Sequence, residues 1–206
     1  MENADRLLFD YPLPLGNGVG CHYVTRIGRP GASESETPAI AGLPIVQQFN
    51  FSTHPSRPAN VPAGLFIPNS AHIELPPGVC LTAIRGAPVN DIRVGDELIG
   101  RWLRVGSATI AHLAGVLPVD ASAPRADQTR SVFERIEAGL DVAGLTINNV
   151  ARTWFYLDNI LDWYGEFNAV RSAFFRSRGI SFDTPPASTG IGLANAAGAA
   201  LCAGAI

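Results

Sequence analysis

The sequence predicts an α+β fold: a two-layer sandwich of a mixed β-sheet with two helices on one face, preceded by a β-rich N-terminal segment. Three observations predict it. From about residue 93 the apolar pattern runs in the order β-β-α-β-α-β-β. Before that, Pro and Gly break the chain into short apolar pieces with no helical signal of normal length. The length of 206 residues fits one domain plus a substantial extra segment, or two small domains. The chain is expected to divide into residues 1–92 and 93–206.

In the N-terminal segment, Val19 to Ile27, Ile45 to Phe51, Gly64 to Ile67 and Val79 to Ile84 are candidate strands. Arg29 to Pro38 and Pro55 to Pro62 read as loops. In the C-terminal domain, Glu97 to Val105 and Thr109 to Val116 are two strands about a Gly106-Ser107 turn, and Pro118 to Pro124 is a loop. Asp127 to Ala143 is a helix, because Val132, Ile136, Leu140 and Ala143 share a face and Gly144 follows as a stop. Val150 to Leu157 is a strand of β-branched and aromatic residues. Asp158 and Asn159 are residues that cap a helix start. Ile160, Trp163, Tyr164, Phe167, Val170, Arg171 and Phe174 then recur at helical spacing, up to Gly179. Two prolines open the extended run Ala187 to Gly192, and Ala199 to Ile206 is a last strand.

Composition excludes several classes. The net charge of −3 gives no surface for nucleic acid or an anionic membrane. No window is apolar enough for long enough to span a bilayer. The N-terminus lacks a charged n-region and an apolar h-region, so the expected location is the cytoplasm. Cys21, Cys80 and Cys202 are unpaired in spacing and read as free thiols. His22, His54, His72 and His112 are scattered, with no metal-ligand spacing, so neither a metal nor a cofactor is expected. The chain has no lysine; every permanent side-chain cation is Arg, which suits bidentate carboxylate recognition.

The run from Asp127 through Ala143-Gly144-Leu145 to Leu157-Asp158, and on to Phe167-Asn168 and Phe174-Phe175, resembles the middle of the RidA family, also called YjgF or L-PSP endoribonuclease-like. A narrower resemblance rests on Arg152-Thr153-Trp154-Phe155-Tyr156, on Tyr164, Phe167 and Arg171, and on Pro186-Ala187-Ser188-Thr189-Gly190-Ile191-Gly192. These look like the first half of the chorismatases, which hydrolyse chorismate with release of pyruvate and contain two RidA-like domains. The resemblance implies a RidA/chorismate mutase-like sandwich and a homo-trimer, or a pseudo-trimer with a second RidA-like domain. It also implies that this chain is the N-terminal portion of a longer enzyme, or a protein that has lost its catalytic half.

Three positions depart from the deaminases of the family. Ser188 stands where they carry an Arg for the substrate carboxylate, and Cys202 and Gly204 stand where their last strand carries acids. Ordinary RidA deamination is therefore disfavoured, and no catalytic residue is assigned. The expected ligand is a small carboxylate. The candidate substrate-binding residues are Arg152, Tyr164, Asn168, Arg171, Thr189 and Gly190. Arg171 lies on the aromatic side of its helix, an odd place for a solvated charge; either it holds an anion or its stem snorkels over the ring stripe. Arg152 reads as an anchor or as a plain surface Arg. Thr189 and Gly190 offer a hydroxyl and a backbone open to close approach, or else a strand flattened for packing. The competing expectation is a catalytically inactive RidA-like domain that trimerises and binds a small carboxylate.

Overall fold

The computed structural model describes residues 6–27, 43–52, 64–68, 78–181 and 183–206. The expected loops at 29–38 and 55–62 lie outside the described residues, as do His54 and His72. Eleven strands, β1 (Arg6–Gly16), β2 (Val19–Ile27), β3 (Ile45–Ser52), β4 (Gly64–Pro68), β5 (Gly78–Arg85), β6 (Val89–Val94), β7 (Glu97–Val105), β8 (Ala108–Val116), β9 (Arg152–Leu157), β10 (Ala187–Gly192) and β11 (Leu201–Ala205), form two sheets. Helices α1 (Arg125–Val142) and α2 (Ile160–Ser177) complete the described elements, with a single 3-10 turn at Ile147–Asn149.

The second sheet has the order β10-β9-β11-β8-β7-β6, antiparallel except where β10 runs parallel to β9. One face buries the two helices. Phe133 of α1 is fully buried among Phe155 of β9 and Phe167, Phe174 and Phe175 of α2, with ring centroids 5.0–6.5 Å away. This is the expected α+β sandwich. The ends of the helices are tied as well. Arg178 donates from Nε and Nη2 to both carboxylate oxygens of Glu137, each at 2.8 Å, which holds the Glu137 carboxyl below its ordinary range.

The first sheet, β1-β2-β5-β3-β4, is the expected β-rich segment. It stacks on the free face of the second sheet and adds a third layer. Val19, Cys21, Val46 and Ile84 from it close on Leu103 and Val105 of β7. Arg101 of β7 ties across by donating to the Ile45 carbonyl. The expected boundary between residues 92 and 93 falls inside β6, and Val89 at its start packs against this inter-sheet cluster.

Local structure differs from expectation at four places, one of them β6, which no expected strand covers. β1 is a strand although Pro12 and Pro14 interrupt it, because it is the sheet edge and prolines there remove no ladder bond. It joins β2 through Asn17 and Gly18, at φ 52° and 76°, the pair of left-handed residues that a tight hairpin requires. The strand expected from Val150 begins at Arg152, because the 3-10 turn occupies the residues before it. Asn159 precedes α2 as expected but lies at φ 49° and makes no capping hydrogen bond, so neither it nor Asp158 caps by side chain.

Candidate functional site

Two of the three motifs that carried the chorismatase resemblance are adjacent strands. Ala187 lies opposite Arg152, Thr189 opposite Trp154 and Gly190 opposite Phe155. Partners in register share a face, and alternate residues switch faces. Phe155 packs under the helices, so Thr153 and Leu157 share its side while Arg152, Trp154 and Tyr156 face the other way. Tyr156 and Trp154 accordingly meet Phe49 of β3, at centroid separations of 6.2 and 6.4 Å.

Arg152 and Thr189 form one group on that face. The Arg152 guanidinium donates from Nη2 to Thr189 Oγ1 at 2.9 Å and lies 5.2 Å from the Trp154 ring centroid. No carboxylate among the described residues pairs with it. Tyr164, Asn168 and Arg171 form a second group on α2, spaced i, i+4 and i+7 along one face. The Tyr164 ring stacks on Phe167 at 6.1 Å, and the Arg171 guanidinium lies over the same ring at 5.8 Å. Arg171 has no ion pair among the described residues. Asn168 Oδ1 is buried without a hydrogen-bond partner.

Gly190 belongs to the second group. A Cβ there would touch Tyr164 Cε2 at 3.4 Å, and one at Gly192 would meet Ile160 Cγ2 at 2.8 Å. The two glycines let α2 lie directly on β10. The six candidates thus fall on opposite faces of β10, which is the edge strand of its sheet. The structure does not bring Arg152 and Arg171 together. Ala187 and Leu193 donate their N–H groups towards β9, so the N–H groups of Ser188, Gly190 and Gly192, of opposite parity, point to the open edge.

Cys202 and Gly204, where the resemblance expected acids to be missing, lie opposite Tyr156 and Trp154 on β11. Both positions sit under the first sheet. Cys202 is fully buried, and burial pushes its thiol far up. A Cβ at Gly204 would lie 3.0 Å from the Leu113 carbonyl and 3.9 Å from Gln47 Nε2. Sequence reasoning missed this polar layer. Gln47 and His112 are buried between the sheets, with Gln47 Nε2 and His112 Nδ1 unpartnered. Burial lowers His112 to about 4, so it is neutral at pH 7. A Gln and a His inside strand patterns gave no signal, because their burial depends on a sheet stacked from elsewhere in the chain. Among the described residues, no cluster of His, Cys, Asp or Glu is placed to hold a metal ion, and no helix is long and apolar enough to cross a membrane.

A sandwich of this kind agrees with what sequence comparison finds. The profile of the family described as Endoribonuclease L-PSP matches residues 99–201, and the chain belongs to that family, the RidA/YjgF superfamily. Among solved structures, the YjgF gene product of E. coli is 21% identical, with 56% of this chain and 89% of that chain covered and a TM-score of 0.46. Rv2704 of Mycobacterium tuberculosis, a YjgF/YER057c/UK114 family member, is 24% identical over 57% of this chain and 97% of that one, with a TM-score of 0.44. E. coli TdcF, solved with bound serine, is 19% identical over 55% and 87%, also with a TM-score of 0.44. A comparison with curated proteins finds no match.

Proposed function

We propose that this chain supplies carboxylate-binding residues to a chorismatase-like hydrolase, with Arg152 and Thr189 as the anchor and the proton donor supplied by a second RidA-like unit. One observation carries the reading: Arg152, held by Thr189 and lying over Trp154, offers its guanidinium at an open sheet edge with no carboxylate of its own among the described residues. A guanidinium in that state suits a ligand carboxylate. Cleavage of the chorismate enol ether also needs a group that protonates the methylene carbon and a water that attacks, which is work for a carboxylic acid of raised pKa. With Cys202 and Gly204 standing, by the resemblance, where the deaminases' last strand carries acids, the residues of this site bind and orient; they do not donate the proton. The second group, Tyr164, Asn168 and Arg171, offers further polar contacts on the opposite face of β10, towards a neighbouring unit docked at that edge.

A second reading rests on the same missing acids: a catalytically silent RidA-like trimer that binds a small carboxylate between subunits. The experiment that separates them is pyruvate release from chorismate by the protein purified from its native source. Release that is lost in Arg152→Ala supports the hydrolase. Saturable chorismate binding without release supports the silent trimer. Turnover unchanged in Arg152→Ala rules out the anchor.

A further inference from the structure

The first sheet carries a groove that the proposed site does not use. We propose that this groove binds a small monocarboxylate with an apolar body, its carboxylate held by Arg85. The cavity is about 630 Å³, within the range of small-molecule sites. Its geometry follows from strand register. Pro14 of β1 lies opposite Gly20 of β2, which in turn lies opposite Arg85 of β5. Residues paired across antiparallel strands point to the same side. Val19, Cys21 and Ile84 point into the inter-sheet core, so Gly20 and Arg85 face away from it.

Gly20 makes the floor. Its backbone is not left-handed, so no conformational need demands glycine there. A Cβ built on it would meet only the Leu13 carbonyl, at 3.9 Å. The missing side chain leaves open the space between Pro14 and Arg85. Pro12 and Pro14, which share the face of Gly20, form an apolar wall that offers no N–H. At the far end, Arg85 is exposed and makes no hydrogen bond or ion pair with any described residue. The other ionisable lining residue, His22, is already engaged. The backbone under Arg85 is fixed. Gly86, at φ 82°, lies so close to the β1–β2 turn that a Cβ there would stand 2.4 Å from the Gly18 carbonyl.

One permanent cation in an otherwise uncharged groove complements one negative charge. A guanidinium takes a carboxylate through two parallel hydrogen bonds. An anion of higher charge would leave charge unpaired against the apolar wall. The ligand class is therefore a single carboxylate on an apolar body.

The test is amide NMR titration of the full chain with octanoate, octanol and inorganic phosphate. Octanoate is expected to shift the amides of Gly16, Gly18 and Gly20, with octanol and phosphate each at least about tenfold weaker. Arg85→Gln, at an exposed position, weakens octanoate by about tenfold and leaves octanol unchanged. Gly20→Val fills the floor and abolishes octanoate binding while the rest of the spectrum stays native. Octanol binding as tightly as octanoate overturns the role of Arg85. Phosphate binding as tightly overturns the apolar body. Octanoate shifts that map elsewhere, or that persist in a natively folded Gly20→Val, overturn the groove itself.

Discussion

At the scale of single residues, two side chains in uncomfortable places make measurable predictions. His112 is 4% exposed with Nδ1 unpartnered, and burial lowers its pKa from 6.5 to about 4. The unfolded chain therefore takes up a proton at a higher pH than the folded one. The stability tied to neutral His112 is complete above pH 6.5 and is lost as the pH falls from there towards 4. The full loss is about 3 kcal/mol. Urea midpoints measured across that window should fall more steeply in the wild type than in His112→Gln; parallel curves for the two would sink the assignment. Arg171 poses the opposite question. Its guanidinium over Phe167 contributes only about 0.5–1 kcal/mol at a partly exposed site. Arg171→Ala should thus leave the melting temperature almost unchanged while weakening a bound carboxylate several-fold by calorimetry. A large drop in melting temperature with binding intact would mean that the side chain is packing and nothing more.

At the scale of elements, two glycines that look alike in the sequence should respond in opposite directions. Gly165 lies inside α2 at an ordinary φ, and a Cβ there meets nothing within 4 Å. Gly165→Ala should stabilise by about 0.5–1 kcal/mol through helix propensity. Gly100 lies inside β7, where a Cβ would stand 2.4 Å from the His112 carbonyl of β8 and 2.6 Å from Leu113 Cδ2. Gly100→Ala must push β7 away from β8 and should cost about 1–3 kcal/mol or more. Thermal melts of both variants check the pair; a stabilised Gly100→Ala would show that the β7–β8 contact is looser than these distances require. The contrast also shows what could be read in advance. The two helices, the β7–β8 hairpin and β9 announce themselves by local period, as with Val132, Ile136 and Leu140 or Trp163, Phe167 and Phe174. β1 did not, because Pro12 and Pro14 are tolerable only once the strand is known to be an edge. The candidate site was legible as residue types, Arg152 with Thr189 and Tyr164 with Arg171. Its division between two faces of β10 was not, since it depends on a parallel register between segments 35 residues apart in the pairing of Arg152 with Ala187. The Gln47 and His112 layer was not legible either, because only the stacking of one sheet on another makes those positions interior.

At the scale of the whole molecule, the question is whether the two sheets separate before either unfolds. Three layers need not be one cooperative unit, and the sequence suggests a division near residue 92. The inter-sheet contact argues for a single unit. Separating the sheets would expose Val19, Cys21, Val46, Ile84, Leu103 and Val105, all buried in one cluster. At roughly 1.5 kcal/mol or more for each side chain, this is on the order of 10 kcal/mol, as large as the stability of a typical domain. Two cysteines report on that event from opposite sides. Cys21 on β2 packs against β7, and Cys202 on β11 lies beside Tyr156, beneath Phe49. Both thiols are buried and both are pushed above their ordinary pKa, so each is inert to a labelling reagent until it opens. In a Cys80→Ser background, which removes the half-buried third thiol, both should become reactive over the same range of urea in which the helical circular-dichroism signal is lost. Labelling of either thiol while the helices remain native would mean that the first sheet lifts as a separate unit. The face carrying Tyr156, Trp154 and Cys202 would then be one that the molecule can open.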